Sequence, residues 1–147
     1  MSIHVSRLRD YLCGEWQMER TMLDRRTPAH GSFHGVVSVI GKSPASPMLH
    51  WQEAGTMTWP GYEGPASRSY RIEPTGDARV LEVMFADGRP FHQLDLRNGQ
   101  WRTSHHCSPD MYQVAYTAVS AVRLDYDWEV HGPAKDLLIR TSLQRKR

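Results

Sequence analysis

The chain has too little cysteine for a disulfide scaffold. Cys13 and Cys107 are its only two cysteines, and they stand far apart, so both thiols are expected free, as in a reducing compartment. It also lacks a long apolar run: nothing approaches the roughly 20 residues that cross a bilayer, and no basic segment followed by an apolar one opens it. Charge of one sign is missing too. Eighteen basic residues meet 16 acidic ones for a net charge of +2, a balance that argues against nucleic acid or a membrane as partner. Basic residues cluster only at Arg145-Lys146-Arg147, which reads as a frayed chain end. Helical periodicity is absent after the first dozen residues. From these absences a cytoplasmic protein of one domain over residues 1–147 is expected, since a chain of this length buries roughly two thirds of its unfolded surface without metal or disulfide. Its oligomeric state stays open, a homodimer included.

What the chain does have is alternation. Residues 3–12 form the one helix candidate, with Ile3, Leu8, Tyr11 and Leu12 on one face, Ser2 as cap and Gly14 as stop. From Gly14 onward the period becomes two. Strands are expected over 14–24, 31–41, 48–59, 66–73, 79–86, 90–97, 101–107, 111–118, 122–130 and 136–145. Between them stand turn signals: Arg25 to Gly31, the loop Lys42 to Pro47, Pro60 to Pro65, Asp87-Gly88, Asn98-Gly99, Ser108 to Asp110 and His131 to Pro133. No helical crossover is available, so neighbouring strands must be antiparallel. About ten antiparallel strands in an up-and-down meander, with one wet face, are best accommodated by an all-β barrel with a short N-terminal helix. A two-sheet sandwich is the other architecture of this pattern.

Gly14-Glu15-Trp16, at the start of the first strand and after a short helix, resembles the G-x-W signature of the calycin barrels, the lipocalins, fatty-acid-binding proteins and their relatives. The resemblance implies a Trp closing the barrel floor under a basic residue of the last strand. Arg145 matches that residue in order and phase, whereas Arg140 lies on the wrong phase. A wider pattern runs over nearly the whole chain: DGRPFHQLDL, then His105, Cys107, Asp110 and Tyr112 in the spacing H-x-C-x-x-D-x-Y, then the stretch from Trp128 to Asp136. It resembles a family of small, uncharacterised lipocalin-like proteins of bacteria and fungi. That resemblance implies a calycin-like barrel and brings no activity with it.

Function must therefore come from the side chains that point inward. The strand phases send Arg20, Glu53, Arg68, Tyr70, His92, His105, Cys107, Tyr112, Tyr116 and Thr141 inward with the apolar residues. Phe91, Gln93, Asp95 and His106 are expected outside. Walls of Met18, Phe33, Trp51, Leu94 and Val114 would complete a pocket for a small, partly polar, anionic ligand. In this pattern Arg20 and Arg68 hold the anion and Glu53 orients one of them; the alternative is an Arg–Glu pair that satisfies itself. His92 and His105 lie on strands joined by Asn98-Gly99 and would face each other, either as wall residues or as the acid and base of a small isomerase, lyase or hydrolase. A metal completed by Cys107 or Asp110, and Cys107 as a nucleophile, are weaker readings. No cofactor is expected. One branch of the calycins binds haem through a histidine late in the chain; the resemblance puts His131 in that place, in a turn, so His92 or His105 would have to substitute. A pocket filled by the protein's own side chains, in a structural or interaction domain, is the remaining possibility.

Overall fold

The computed structural model describes residues 1–41 and 43–146; Lys42 of the expected loop and Arg147 of the tail lie outside the described residues. Ten strands make one antiparallel sheet: β1 (Gly14–Asp24), β2 (Ala29–Gly41), β3 (Leu49–Trp59), β4 (Tyr62–Pro74), β5 (Val80–Phe85), β6 (Pro90–Asp95), β7 (Gln100–Cys107), β8 (Asp110–Ser120), β9 (Arg123–Gly132) and β10 (Lys135–Arg145). The order runs β6-β5-β4-β3-β2-β1-β10-β9-β8-β7. First and last strands therefore pair, and the sheet curls into a nearly closed barrel whose seam falls between β6 and β7.

Alternation explains why these residues form these strands. Along β1, Trp16, Met18 and Arg20 are buried while Glu15, Gln17, Glu19 and Thr21 are exposed, and β9 buries Leu124, Tyr126, Trp128 and Val130 in the same rhythm. Strands β2 and β3 meet at Gly35 and Gly55, where a Cβ on Gly35 would come within 2.2 Å of the Ala54 carbonyl oxygen. The two glycines let the backbones approach more closely than any side chain would allow.

The helix is shorter than its apolar pattern predicts. Only Leu8–Leu12 are helical, with no side-chain cap, so Ser2 does not cap it. Residues before it are not helical because they bridge the foot of the seam: Ile3 N–H donates to Ala118 O at 2.8 Å and Val5 N–H to Leu96 O at 3.0 Å. Those tertiary bonds outweigh the short helix they replace. The helix, α1, lies across one end of the barrel, with Leu8 and Leu12 in the core. Trp16 is fully buried there and donates from Nε1 to Leu12 O. Arg145, directly opposite Trp16 in the β1–β10 register, stacks 4.1 Å from its ring centroid and donates to Cys13 O and Tyr11 O. The basic tail is thus no frayed end as far as Lys146, whose N–H donates to Glu15 O. Arg140 is exposed, as its phase predicts.

Three other expectations change. Strand β4 starts at Tyr62, so Gly64 and Pro65 lie within a strand rather than a turn. Asn98-Gly99 does turn the chain, with Gly99 at φ 81° and its N–H donating to Leu96 O. Yet no ladder joins β6 to β7. Finally, a bulge between Val83 and Met84 shifts the β5–β6 register, so Phe91 and His92 are both buried although they are sequence neighbours. Phe91 was expected outside, and so was Asp95, which is covered by its ion pair with Arg97 at 2.7 Å.

Candidate functional site

The end away from α1 is the open one. Inward-facing residues near that end give it an aromatic cup: Tyr70 on β4, Phe85 on β5, Phe91 on β6, Tyr112 on β8 and Trp128 on β9. They pack edge to face and in stacks, Phe85 on Phe91 with centroids 4.6 Å apart and Phe91 on Trp128 at 5.3 Å. Together with Arg68, Ser69, Ala86, Asp87 and Arg89 they surround a cleft of about 440 Å³.

Below the cup the barrel is filled. Arg20 and Glu53 form a buried pair, Nη1 to Oε1 at 2.9 Å. The guanidinium also donates from Nε to Thr141 Oγ1 at 2.8 Å and from Nη2 to the Tyr126 hydroxyl at 3.1 Å. Glu53 Oε2 accepts from Trp51 Nε1 at 2.9 Å. Burial works against the charge on Arg20, but Tyr126 and Glu53 together hold its pKa above the ordinary arginine value. The interior space bounded by Glu53, Tyr70, Tyr116, Tyr126 and Trp128 is only about 20 Å³, room for roughly one water.

Arg68 does not join that pair. It shares inward phase with Glu53 and is its register partner, but it sits nearer the open end and is exposed. Its guanidinium donates to the Tyr70 hydroxyl at 3.2 Å and lies 6.0 Å from the Trp128 ring. Among the described residues no carboxylate pairs with it. The expected cradle of two guanidiniums and a carboxylate is therefore corrected: Arg20 and Glu53 satisfy each other, and Arg68 stands apart. Arg89, at the rim, is neutralised by Asp87 at 2.7 Å while covering the Phe85 ring. Burial lifts the Tyr70 phenol to about 12 against the pull of Arg68, so its hydroxyl remains a neutral donor and acceptor.

The two histidines do not form a pair. With no ladder between β6 and β7, His92 and His105 turn to Phe91 instead, at 4.6 and 5.7 Å between centroids. His92 is buried, and Nδ1 faces Gln93 O at 2.8 Å. A carbonyl only accepts, so Nδ1 carries the proton, and Nε2 accepts from the Tyr116 hydroxyl at 3.3 Å. Burial pushes the ring's pKa down to about 4, so it is neutral at pH 7 with both nitrogens engaged. Trp101 Nε1 donates to the same Gln93 carbonyl at 2.7 Å, standing in for a missing ladder bond.

His105, Cys107 and Tyr112 are half-buried on the β7–β8 side of the opening, and His106 points out. Asp110 is taken by Lys135 at 3.2 Å. His131 lies between Glu129 and Asp136, 3.3 Å from each. Among the described residues no three His, Cys, Asp or Glu side chains gather as a metal site would require. Thus the inward polar residues divide into a filled interior (Arg20, Glu53, His92, Tyr116, Thr141) and a mouth (Arg68, Tyr70, His105, Cys107, Tyr112). Sequence reasoning missed Phe85, Phe91, Tyr126 and Trp128 as site residues. Phe85, Tyr126 and Trp128 share the phase of the apolar residues on their strands, which is the signal for them, whereas Phe91 turns inward only through the bulge.

No curated protein sequence matches this chain. Among solved structures it is similar to an S-type phycobiliprotein lyase from Guillardia theta, with TM-score 0.70 and 6% identity over 99% of this chain and 94% of that one. It is similar to a protein of unknown function of the DUF3598 family from Nostoc punctiforme, TM-score 0.61 and 10% identity over 94% of this chain and 49% of that one. A de novo designed fluorescence-activating β-barrel aligns with TM-score 0.53 and 10% identity over 97% of this chain and all of the design. At such identities the likeness is one of fold. A family model matches residues 12–145, nearly all of the barrel, and the chain belongs to that family, DUF6314, a family of unknown function.

Proposed function

We propose that this barrel binds a small organic anion with a flat aromatic body in the cup at its open end. The observation that carries the proposal is Arg68: a guanidinium without a carboxylate partner among the described residues, held 6.0 Å over the Trp128 ring and on the Tyr70 hydroxyl beside an aromatic-lined cleft of about 440 Å³. Such a group supplies charge-assisted hydrogen bonds in a fixed fork, and the rings supply contact area. The Arg20–Glu53 pair cancels its own charge deeper inside, so the field at the mouth is that of Arg68. A phycobiliprotein lyase and a fluorescence-activating designed barrel share this architecture, which supports a role in handling a ligand.

Calorimetric titration with 2-naphthylacetate tests it. Wild-type protein is expected to bind, and Arg68→Ala to weaken binding by roughly ten- to a hundredfold, the worth of a hydrogen bond to a charged group. Raising the salt concentration is expected to weaken wild-type binding as well. Equal binding by wild type and Arg68→Ala would overturn the proposal, as would no binding by wild type.

A further inference from the structure

Arg68 borders a second space. On its other side from the aromatic cleft lies a pocket of about 70 Å³ walled by Met22, Phe33, Met57, Ala66 and Ile139, with the Arg20–Glu53 pair at its floor. Arg68 lines both spaces. The walls of the smaller one come from β1, β2, β3, β4 and β10, and those of the larger mainly from β4, β5, β6, β8 and β9. The floor is closed to an ionic group because each of its charges already has its counter-charge at 2.9 Å. An uncharged, apolar group is what the walls accept. The two spaces are unequal: the larger, about 440 Å³, takes an aromatic ring system, and the smaller, about 70 Å³, only a few non-hydrogen atoms.

We infer that the smaller pocket is a specificity subsite for a short apolar branch of the same ligand whose anionic group meets Arg68. This rests on the mouth binding an aromatic anion. The ligand class it names is an aryl-substituted carboxylic acid branched at the carbon next to the carboxylate. The aryl group lies on Phe85, Phe91 and Trp128, the carboxylate on Arg68, and the branch between Met57 and Ile139. The charge sits at the fork between the two spaces, so an acid whose two substituents leave from the carboxylate-bearing carbon matches the geometry.

The test compares two probes by calorimetry, 2-naphthylacetate and its α-isopropyl derivative, on wild type and on Ala66→Leu, which fills the subsite. Burying the branch is expected to make the branched acid roughly tenfold tighter on wild type, since each buried CH₂ is worth about a fourfold gain at most. Ala66→Leu is expected to erase that ratio, which separates the subsite from general greasiness of the probe. Equal affinity of the two acids for wild type, or an unchanged ratio in Ala66→Leu, overturns the subsite while the aromatic cleft stands. If neither acid binds wild type, the cleft itself fails and the subsite with it. Should Ala66→Leu not fold, the wild-type comparison still decides, and Ile139→Phe fills the same space from β10.

Discussion

Arg20 Nη1 lies 2.9 Å from Glu53 Oε1 in the middle of the barrel, with Thr141, Tyr126 and Trp51 supplying the remaining hydrogen bonds. A buried pair of this kind contributes little net stability over a well-packed apolar pair, but each half depends on the other. Glu53→Ala is expected to cost about 3–5 kcal/mol by leaving the guanidinium buried and uncompensated. Arg20→Met combined with Glu53→Leu is expected to be far milder. Urea unfolding of the singles and the double checks this. A double variant as unstable as the sum of the singles would mean that the two residues do not act as a pair.

His92 makes stability depend on pH in a particular window. Its folded pKa is pushed down to about 4 by burial, from an ordinary 6.5. Between those values the unfolded chain binds a proton that the folded chain refuses. The contribution is therefore fully present above pH 6.5 and is lost as pH falls toward 4, about 3 kcal/mol in all. Asp77, Asp87 and Asp95, held low by Arg79, Arg89 and Arg97, lose their contributions only as pH falls below the ordinary carboxylate value; Asp127, raised by burial, takes up its proton earlier and shifts stability in the opposite sense, so the comparison with His92→Gln isolates the histidine. Urea midpoints measured from pH 7 to 4.5 should fall in wild type and fall much less in His92→Gln. Parallel pH profiles would exclude His92 as the cause.

Arg145 binds the last strand to the barrel floor. Its guanidinium covers the Trp16 ring at 4.1 Å and donates to Cys13 O at 2.8 Å and to Tyr11 O. Lysine keeps the charge but not the planar fork. Arg145→Lys is expected to destabilise by about 2 kcal/mol, the worth of one or two charge-assisted hydrogen bonds, and to alter the fluorescence of the buried Trp16. Chemical unfolding measures the first and an emission spectrum the second. An unchanged midpoint would show that the stacking charge alone matters.

Alternation by itself determined the strands, because a side-chain period of two leaves one face wet and one dry whatever the tertiary arrangement. The same period placed Arg20, Glu53, Tyr116 and Thr141 inward, and set Arg145 in phase with Trp16. Only the tertiary structure decided depth. Arg68 and Arg20 share an inward phase, but one stands at the open end and the other in the filled middle, and phase carries no information about distance along the barrel axis. It also decided the seam. Asn98-Gly99 makes its turn as a dipeptide must, yet whether the strands beyond it pair depends on curvature accumulated over the whole sheet, on the Val83–Met84 bulge, and on the N-terminal segment that binds Leu96 and Ala118. That is why the two histidines, adjacent in an ideal hairpin, meet Phe91 rather than each other.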